Sequence, residues 1–296
     1  MRACVIFNPA AKGEKAQRFR RHLDDFGSHC ALEGTEAAGD ARRMAAEAVE
    51  QGFERIIAAG GDGTVNEVLN GLGDAPDGFE RACLGVLPLG TVNVFARELA
   101  LPTRLELAWQ TVLQGREMRI DLPCVRFGDG PKAQRRYFAQ LGGAGLDARA
   151  VELVHWPLKK RVGSLAYVLA GLKALCGPPA KISVEGDGVL SIGELVLVGN
   201  GRFYGGNFRV FPDADLHDGL LDVCVFPRVN WMTLARCGPR LLLRGSLPGA
   251  SAHLFTANRL TLSAAVPTPL EVDGELAGQL PATFSLDPAG LRVIVP

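Results

Sequence analysis

RIIAAGGDGTVNEVLNGL, residues 55–72, decides how the first half of the chain is read. "RIIAA" is an apolar run of strand length, glycines follow at 60, 61 and 63, and Val65, Val68, Leu69 and Leu72 recur at helical spacing. A strand that turns through glycines into a helix presents free N–H groups and the positive end of a helix dipole, which is a ready anion site. Thr64 followed by Glu67 fits the capping box S/T-x-x-E and predicts a helix that starts after Gly63. The chain contains no G-x-x-x-x-G-K-S/T, and Gly61-x-Gly63-x-x-Asn66 lacks the third glycine of a dinucleotide fingerprint. Asp62 is the anomaly, because an acid repels phosphate. Three local readings are open: a turn residue bonding its own backbone, a carboxylate that shares a cation with a phosphate, or one that accepts hydrogen bonds that hold the loop.

The same alternation extends outward from this stretch. "ACVIF" (3–7) reads as a buried strand ending at Asn8-Pro9, with a charged helical stretch from Glu14 to Phe26 and a weak strand around Cys30 to Leu32. "DARRMAAEAVEQG" (40–52) reads as a helix capped by Asp40 and closed by Gly52, and "ACLGVLPLG" (82–90) as a fourth strand and turn. Strand alternating with helix implies parallel pairing and an open α/β sheet. After Asp121-Leu122-Pro123 the pattern changes to short, alternating, glycine-punctuated segments such as "KISVEG", "LLDVCVF", "NRLTLSA" and "TPLEVDGE", which predict an antiparallel sandwich or barrel. Two helical stretches interrupt it, "GSLAYVLAGLKALCG" (163–177) and "NWMTLARCGPRLLLRG" (230–245), and Pro239 is expected to kink or end the second. The domain boundary is placed at residue 122.

Composition narrows the function. Lys plus Arg equals Asp plus Glu, 32 each, so the chain lacks the basic excess of a general nucleic-acid binder. The opening "MRACVIFNPA" has no signal-peptide pattern, and no apolar run reaches the roughly eighteen residues that span a bilayer. The seven cysteines include no C-x-x-C pair, and the five histidines are scattered, which predicts buried thiols without a zinc site. The expectation is a cytoplasmic protein.

"GGDGT" (60–64) followed by "VNEV" resembles the diacylglycerol-kinase catalytic domain family, which includes sphingosine kinases and bacterial soluble lipid kinases and is distantly similar to NAD kinases. "FNPAAKG" (7–13), "TEAAGDARRMA" (35–45), "LPLGTVNVFARELALP" (87–102), "GNGRFYGGNFRVFPDADLHDGLLDV" (199–223) and "EVDGE" (271–275) extend the resemblance in order along the chain. The resemblance implies an N-terminal α/β nucleotide domain (1–122, with 284–296 returning to it through "LRVIV") and a C-terminal β-sandwich (123–283). The latter would carry the lipid acceptor and metal site, with the reaction in the cleft between the two.

By the same resemblance, ATP is held by Asn8, Pro9, Lys12, Thr35, Gly60, Gly61, Asp62, Gly63, Thr64, Asn66, Glu67, Thr91 and Asn93. Val94 stands where the family often has an acid. In "DADLHDGLLDV" the family match makes Asp218 a ligand of Mg²⁺, with the backbone oxygens of Asp215 and Leu220 beside it, and Asp121 joins through water. Read locally, this cluster is also a plausible turn before a strand. "EVDGE" by itself is a hairpin, since Asp-Gly signals a type I′ turn; the resemblance makes Asp273 the general base toward an acceptor hydroxyl, with Glu275 as partner or metal-linked acid.

The implied activity is γ-phosphate transfer from ATP to a lipid hydroxyl. Two rival readings are a kinase for a soluble acceptor such as NAD or a polyol, and a non-catalytic nucleotide- or lipid-binding regulator; the presence of Asp62, Asp218, Asp273 and Glu275 speaks against the second. Arg236, Arg240 and Arg244, interleaved with Trp231, Leu234 and leucines 241–243, form a basic amphipathic stretch suited to an anionic membrane surface or, equally, to a solvated helix face. "HWPLKKR" (155–161) is a second basic-aromatic cluster. Dimers occur among the family's soluble bacterial members, so a homodimer is a further expectation.

Overall fold

A computed structural model describes residues 2–9, 14–21, 30–153, 171–206, 208–244 and 251–296. The chain divides into two compact units: Met1–Leu122 with Asp287–Pro296, and Pro123–Leu286.

The first unit is an α/β domain. Strands β1 (Ala3–Phe7), β2 (Ala31–Gly34), β3 (Arg55–Gly60) and β4 (Cys83–Pro88) pair in parallel in the order β2-β1-β3-β4. Crossovers pass through helices α1 (Glu14–Arg21), α2 (Asp40–Glu50), α3 (Asp62–Asp74) and the short α4 (Gly78–Arg81). Helices α5 (Val94–Glu98) and α6 (Leu105–Gln114) follow. Alternate residues of β3 serve opposite faces: Ile57 and Ala59 pack with Val5, Phe19, Leu87, Leu105 and Val112 in one cluster. Each fully buried side chain of this size stabilises the fold by about 1.5–3 kcal/mol relative to exposure.

The second unit is an antiparallel β-sandwich. After β5 (Arg116–Phe127), β6 (Gln134–Tyr137) and β7 (Leu141–Gly145) comes helix α7 (Leu146–Leu153). Then follow β8 (Ile182–Gly186), β9 (Val189–Gly193), β10 (Leu195–Gly199), a small pair β11 (Phe203–Tyr204) and β12 (Phe208–Arg209), and β13 (Leu221–Phe226). Helix α8 (Trp231–Arg244) precedes β14 (His253–Ala257), β15 (Arg259–Ala264), β16 (Pro269–Val272), β17 (Glu275–Gln279) and β18 (Ala282–Val295). One sheet runs β14-β13-β10-β7-β16-β17, and β18-β15-β8-β9 belongs to the other. Val125, Phe138, Val184, Val198, Val223, Leu262, Leu270, Val272 and Phe284 fill the core, with Phe138 and Phe284 edge-to-face at 5.9 Å. The end of β18 pairs in parallel with β4, Val293 beside Leu84.

Three local expectations are corrected. Helix α3 starts at Asp62 with Gly61 as extended N-cap, and Val65 N–H already closes onto the Gly61 carbonyl at 3.1 Å. Thr64 therefore lies inside the helix, packed over Gly60, and there is no capping box. Asp40 is likewise the first residue of α2, with Gly39 as N-cap; its carboxylate turns back to accept the N–H groups of Glu36 and Ala37, each at 2.8 Å. Those bonds, from Ala37 and then Glu36, hold its carboxyl below the usual range. Third, α8 does not end at Pro239, which sits on an exposed face, but runs on to Arg244. Of the stretch 163–177, residues 171–175 are helical and 163–170 lie outside the described residues, as does the cluster 155–161.

All seven cysteines are free, and burial pushes the Cys4, Cys83 and Cys224 thiols up to about 12. These three are packing groups, whereas Cys30 and Cys124 are partly buried and Cys176 is exposed.

Candidate active site

In the first unit the site is built at the carboxyl ends of four adjacent parallel strands, where ligands of open α/β sheets bind. Asn8 and Pro9 follow β1, and Thr35 follows β2 and ties itself to the end of β1 by its N–H to the Phe7 carbonyl at 2.9 Å. Gly60 ends β3, and its carbonyl accepts N–H bonds from Leu89 (3.0 Å) and Gly90 (3.1 Å), which stitch the loop after β4 to the glycine loop. These two loops touch backbone to backbone. A Cβ on Gly90 would stand 2.5 Å from the Gly61 Cα, a distance no side chain can adopt without moving the main chain. Asn93, at φ 53, donates its amide to the Gly90 carbonyl at 2.7 Å and begins α5.

Asp62 completes this junction. Its Oδ1 accepts the N–H of Phe95, in the first turn of α5, at 3.4 Å, while its own backbone opens α3. An acid at the positive ends of two helices is electrostatically favoured. Thr91 is exposed beside the junction, and Val94 is the first residue of α5. Asn66 and Glu67 are engaged inside the unit. Asn66 is fully buried and accepts the Asn70 amide, and Glu67 Oε2 accepts the Ala41 N–H of α2 at 3.0 Å. Lys12 lies outside the described residues. Asp121, on β5 and 2% exposed, accepts the N–H of Ala289 at 2.8 Å.

In the second unit the acidic loop before β13 is a run of side-chain-to-backbone turns. Asp215 Oδ1 accepts the His217 N–H at 3.1 Å and lies 2.9 Å from His217 Nδ1, and this imidazole holds the Asp215 carboxyl below its usual range. Asp218 Oδ1 accepts the Leu220 N–H at 2.9 Å. Burial, together with the charges of Asp218 and Asp213, pushes Asp222 up to about 6. Among the described residues no three His, Cys, Asp or Glu side chains gather to hold a metal.

Asp273 and Glu275 flank the β16–β17 hairpin. Asp273 (φ 48) and Gly274 (φ 82) both take the left-handed conformation a type I′ turn requires, and Val272 pairs with Glu275. The Asp273 carboxylate is held by three backbone donors: Ala139 N–H on Oδ2 (2.8 Å), and Gln140 and Leu141 N–H on Oδ1 (3.0 and 3.2 Å). Its own N–H returns to the Leu141 carbonyl at 2.7 Å. Glu275 is half-buried at the start of β17.

Sequence reasoning missed two acids beside this turn. Glu271 sits between Leu270 and Val272, both in the sandwich core, so it faces the other side of the sheet, where α7 covers it. It is 1% exposed, accepts the Gly274 N–H at 2.8 Å, and faces Asp147 of α7, whose other oxygen accepts the Tyr204 hydroxyl. Burial pushes both carboxyls up, Glu271 further because the Asp147 charge adds to it. The available signal was the acid in a buried-strand pattern, "PLEV", and it becomes readable only once α7 is placed.

The chain is similar to known proteins along its whole length. Residues 2–125 match the diacylglycerol kinase catalytic domain, and residues 142–295 match the YegS C-terminal NAD kinase beta sandwich-like domain. The chain is also 34% identical over 307 residues to the diacylglycerol kinase of Bacillus subtilis (strain 168), covering 100% of this chain and 96% of that protein. It belongs to the diacylglycerol kinase family. A second family member, the diacylglycerol kinase of Staphylococcus saprophyticus subsp. saprophyticus, is 34% identical over 298 residues, covering 96% of this chain and 92% of its own. The fold is that of a diacylglycerol kinase from Bacillus anthracis str. Sterne (TM-score 0.76, 23% identity, 100% of this chain and 97% of that one). The yeast NADH kinase complexed with NADH shares it at TM-score 0.55 and 9% identity, covering 100% of this chain and 84% of that one.

Proposed function

We propose that this chain is an ATP-dependent lipid kinase that transfers the γ-phosphate to a hydroxyl of a diacylglycerol-like lipid. The observation that carries the reading is the set of loops around Asn8, Thr35, Gly60–Thr64 and Gly90–Asn93 at the ends of four neighbouring strands. It occurs in a chain similar over its full length to proteins named diacylglycerol kinase.

In this reading the first unit binds ATP. Asn8, Pro9, Thr35 and Thr91 surround the nucleotide, the first-turn N–H groups of α3 take its phosphates, and the Lys12 charge would offset theirs. Asp62 and Asn93 hold the two loops in position, and Asn66 and Glu67 brace them from inside. Asp218 and the backbone oxygens of Asp215 and Leu220, with Asp121 through water, would hold Mg²⁺; donors of oxygen alone suit a hard cation. When bound, Mg²⁺ would neutralise charge on the phosphate oxygens.

Asp273 takes the proton of the acceptor hydroxyl. Three backbone donors, Ala139, Gln140 and Leu141, fix the position of its carboxylate. The lipid oxygen then bonds to the γ-phosphorus as the bond to the bridging oxygen breaks, and ADP leaves. Glu275 is the partner acid.

The lipid is reached from the cytoplasmic face of a membrane. Among the described residues no helix is long and apolar enough to cross a bilayer. Helix α8 instead exposes Trp231 (58%), Met232 (70%) and Leu234 next to Arg236 and Arg240, a composition that supports peripheral contact with anionic lipid. The test is ADP release in the presence of Mg²⁺ and diacylglycerol micelles. ADP formation that requires the lipid and disappears in Asp62→Asn supports the reading, and lipid-independent turnover counts against it.

A further inference from the structure

We propose that Asp147 and Glu271 share one proton, and that this acid pair is the positioning device that fixes the Asp273–Gly274 turn. The positioning part rests on the kinase reading above; the shared proton does not.

Every polar atom of the pair but two has a partner. Asp147 Oδ1 accepts the Tyr204 hydroxyl, and Glu271 Oε2 accepts the Gly274 N–H at 2.8 Å. Asp147 Oδ2 and Glu271 Oε1 are both closed off from solvent and have no donor, although Asp147 as a whole residue keeps some exposed surface. The two side chains face each other where α7 packs on β16, and each bears on the other's charge. Two ionised carboxylates cannot stay together out of water, because each adds its charge to the desolvation cost of the other. One proton removes the conflict: the neutral acid donates to the remaining carboxylate, and both orphan oxygens are satisfied.

The setting favours a proton as the bridge. Glycine at 143, opposite Glu271 in the β7–β16 register, leaves room for Oε1, since a Cβ there would stand 3.3 Å from it. The charged neighbour bearing on Glu271 besides Asp147 is Asp273, and Asp147 meets the neutral Tyr204 hydroxyl. Among the described residues no cation is one of these neighbours. The consequence reaches the proposed base directly. Gly274 N–H is held by Glu271, and Gly274 adjoins Asp273 in the same turn, so α7, β7 and the turn are tied through a single proton.

Infrared spectroscopy of the full-length protein at neutral pH reads the proton. The carbonyl stretch of a protonated carboxylic acid, shifting in D₂O, should be present in the wild type and absent in both Asp147→Asn and Glu271→Gln. Glu271→Gln keeps an acceptor for Gly274 and an amide donor toward Asp147, so it should fold and melt like the wild type. Glu271→Leu frees the turn, and its kcat for lipid phosphorylation should fall about 10- to 100-fold with the KM for ATP unchanged, whereas Glu271→Gln should recover most of that loss. Absence of the band in the wild type, including a band that emerges only after chelation of divalent cations, overturns the shared proton. Equal damage from Glu271→Gln and Glu271→Leu overturns the positioning role. If no lipid is ever phosphorylated, the kinase reading fails and the infrared result still decides the pair.

Discussion

Asp62 Oδ1 accepts the backbone N–H of Phe95 at 3.4 Å, joining the first turns of α3 and α5. This bond explains an acid among glycines: its charge sits where two helix dipoles favour it, and it locks the loop after β4 onto the loop after β3. Asp62→Asn removes the charge, weakens the bond to the Phe95 N–H and lets the loop after β4 shift. It should fold, and kcat/KM for ATP should fall at least about 100-fold, since loop misplacement of about 1 Å costs that much. Steady-state kinetics beside a melting curve checks this; an active Asp62→Asn enzyme would refute the role.

Gly90→Ala tests the same junction from the other side. The new Cβ would lie 2.5 Å from the Gly61 Cα, and backbone on both sides cannot yield cheaply. Overpacking of this kind costs about 1–3 kcal/mol. Calorimetric titration with ATP should show weakened binding even at temperatures where the variant remains folded.

The acids at 273 and 275 should separate by stability. Asp273→Asn places an amide NH₂ against a backbone N–H and leaves a donor without an acceptor, a loss of about 1–3 kcal/mol in urea unfolding. Glu275→Gln leaves the Asp273 cradle intact and should lose less. If Asp273→Asn unfolds at the wild-type urea midpoint, the three-bond cradle is wrong.

Glu194 supplies a pH signature. Its side chain is 11% exposed, bonded to Lys181 Nζ at 2.8 Å and to the Val229 N–H at 2.8 Å. Burial alone would push its carboxyl up, but the Lys181 and Val229 bonds together outweigh it, so the carboxyl lies below the usual range. A depressed carboxylate contributes stability above its unfolded pKa, and that stability is lost as pH falls through the folded value. Urea titrations from neutral to acid pH should therefore show a steeper loss in the wild type than in Glu194→Gln; parallel curves would contradict this.

Membrane contact is testable on α8. Reversing Arg236 and Arg240 to Glu should weaken binding to vesicles of anionic phospholipid by more than tenfold at low salt, given about 1 kcal/mol per basic residue near such a surface. Vesicle flotation measures this, and unchanged binding would move the docking face elsewhere.

Features set by local chemistry were legible in the sequence. β1, β3 and β4 follow from apolar runs, the change of architecture after residue 122 from the switch of period, and the I′ turn from Asp273-Gly274 alone. What escaped was decided by distant chain. Glu67 looks like a capping-box partner of Thr64, but its carboxylate has a better-placed donor 26 residues away, at Ala41. Asp273 gives no hint that residues 139–141 converge on it, and Glu271 reads as solvent-facing until α7 covers it. Pro239 reads as a kink or an end of its helix, and α8 does not end there.

The central claim is the destination of the γ-phosphate. Terminally labelled ATP with Mg²⁺ should be offered to the protein with mixed micelles carrying diacylglycerol and other hydroxyl lipids, and with NAD as a soluble acceptor. The account predicts label in a lipid, none in NAD, and loss of lipid label in Glu275→Gln or Asp273→Ala. Label in NAD, or bound ATP with no labelled lipid, would contradict it.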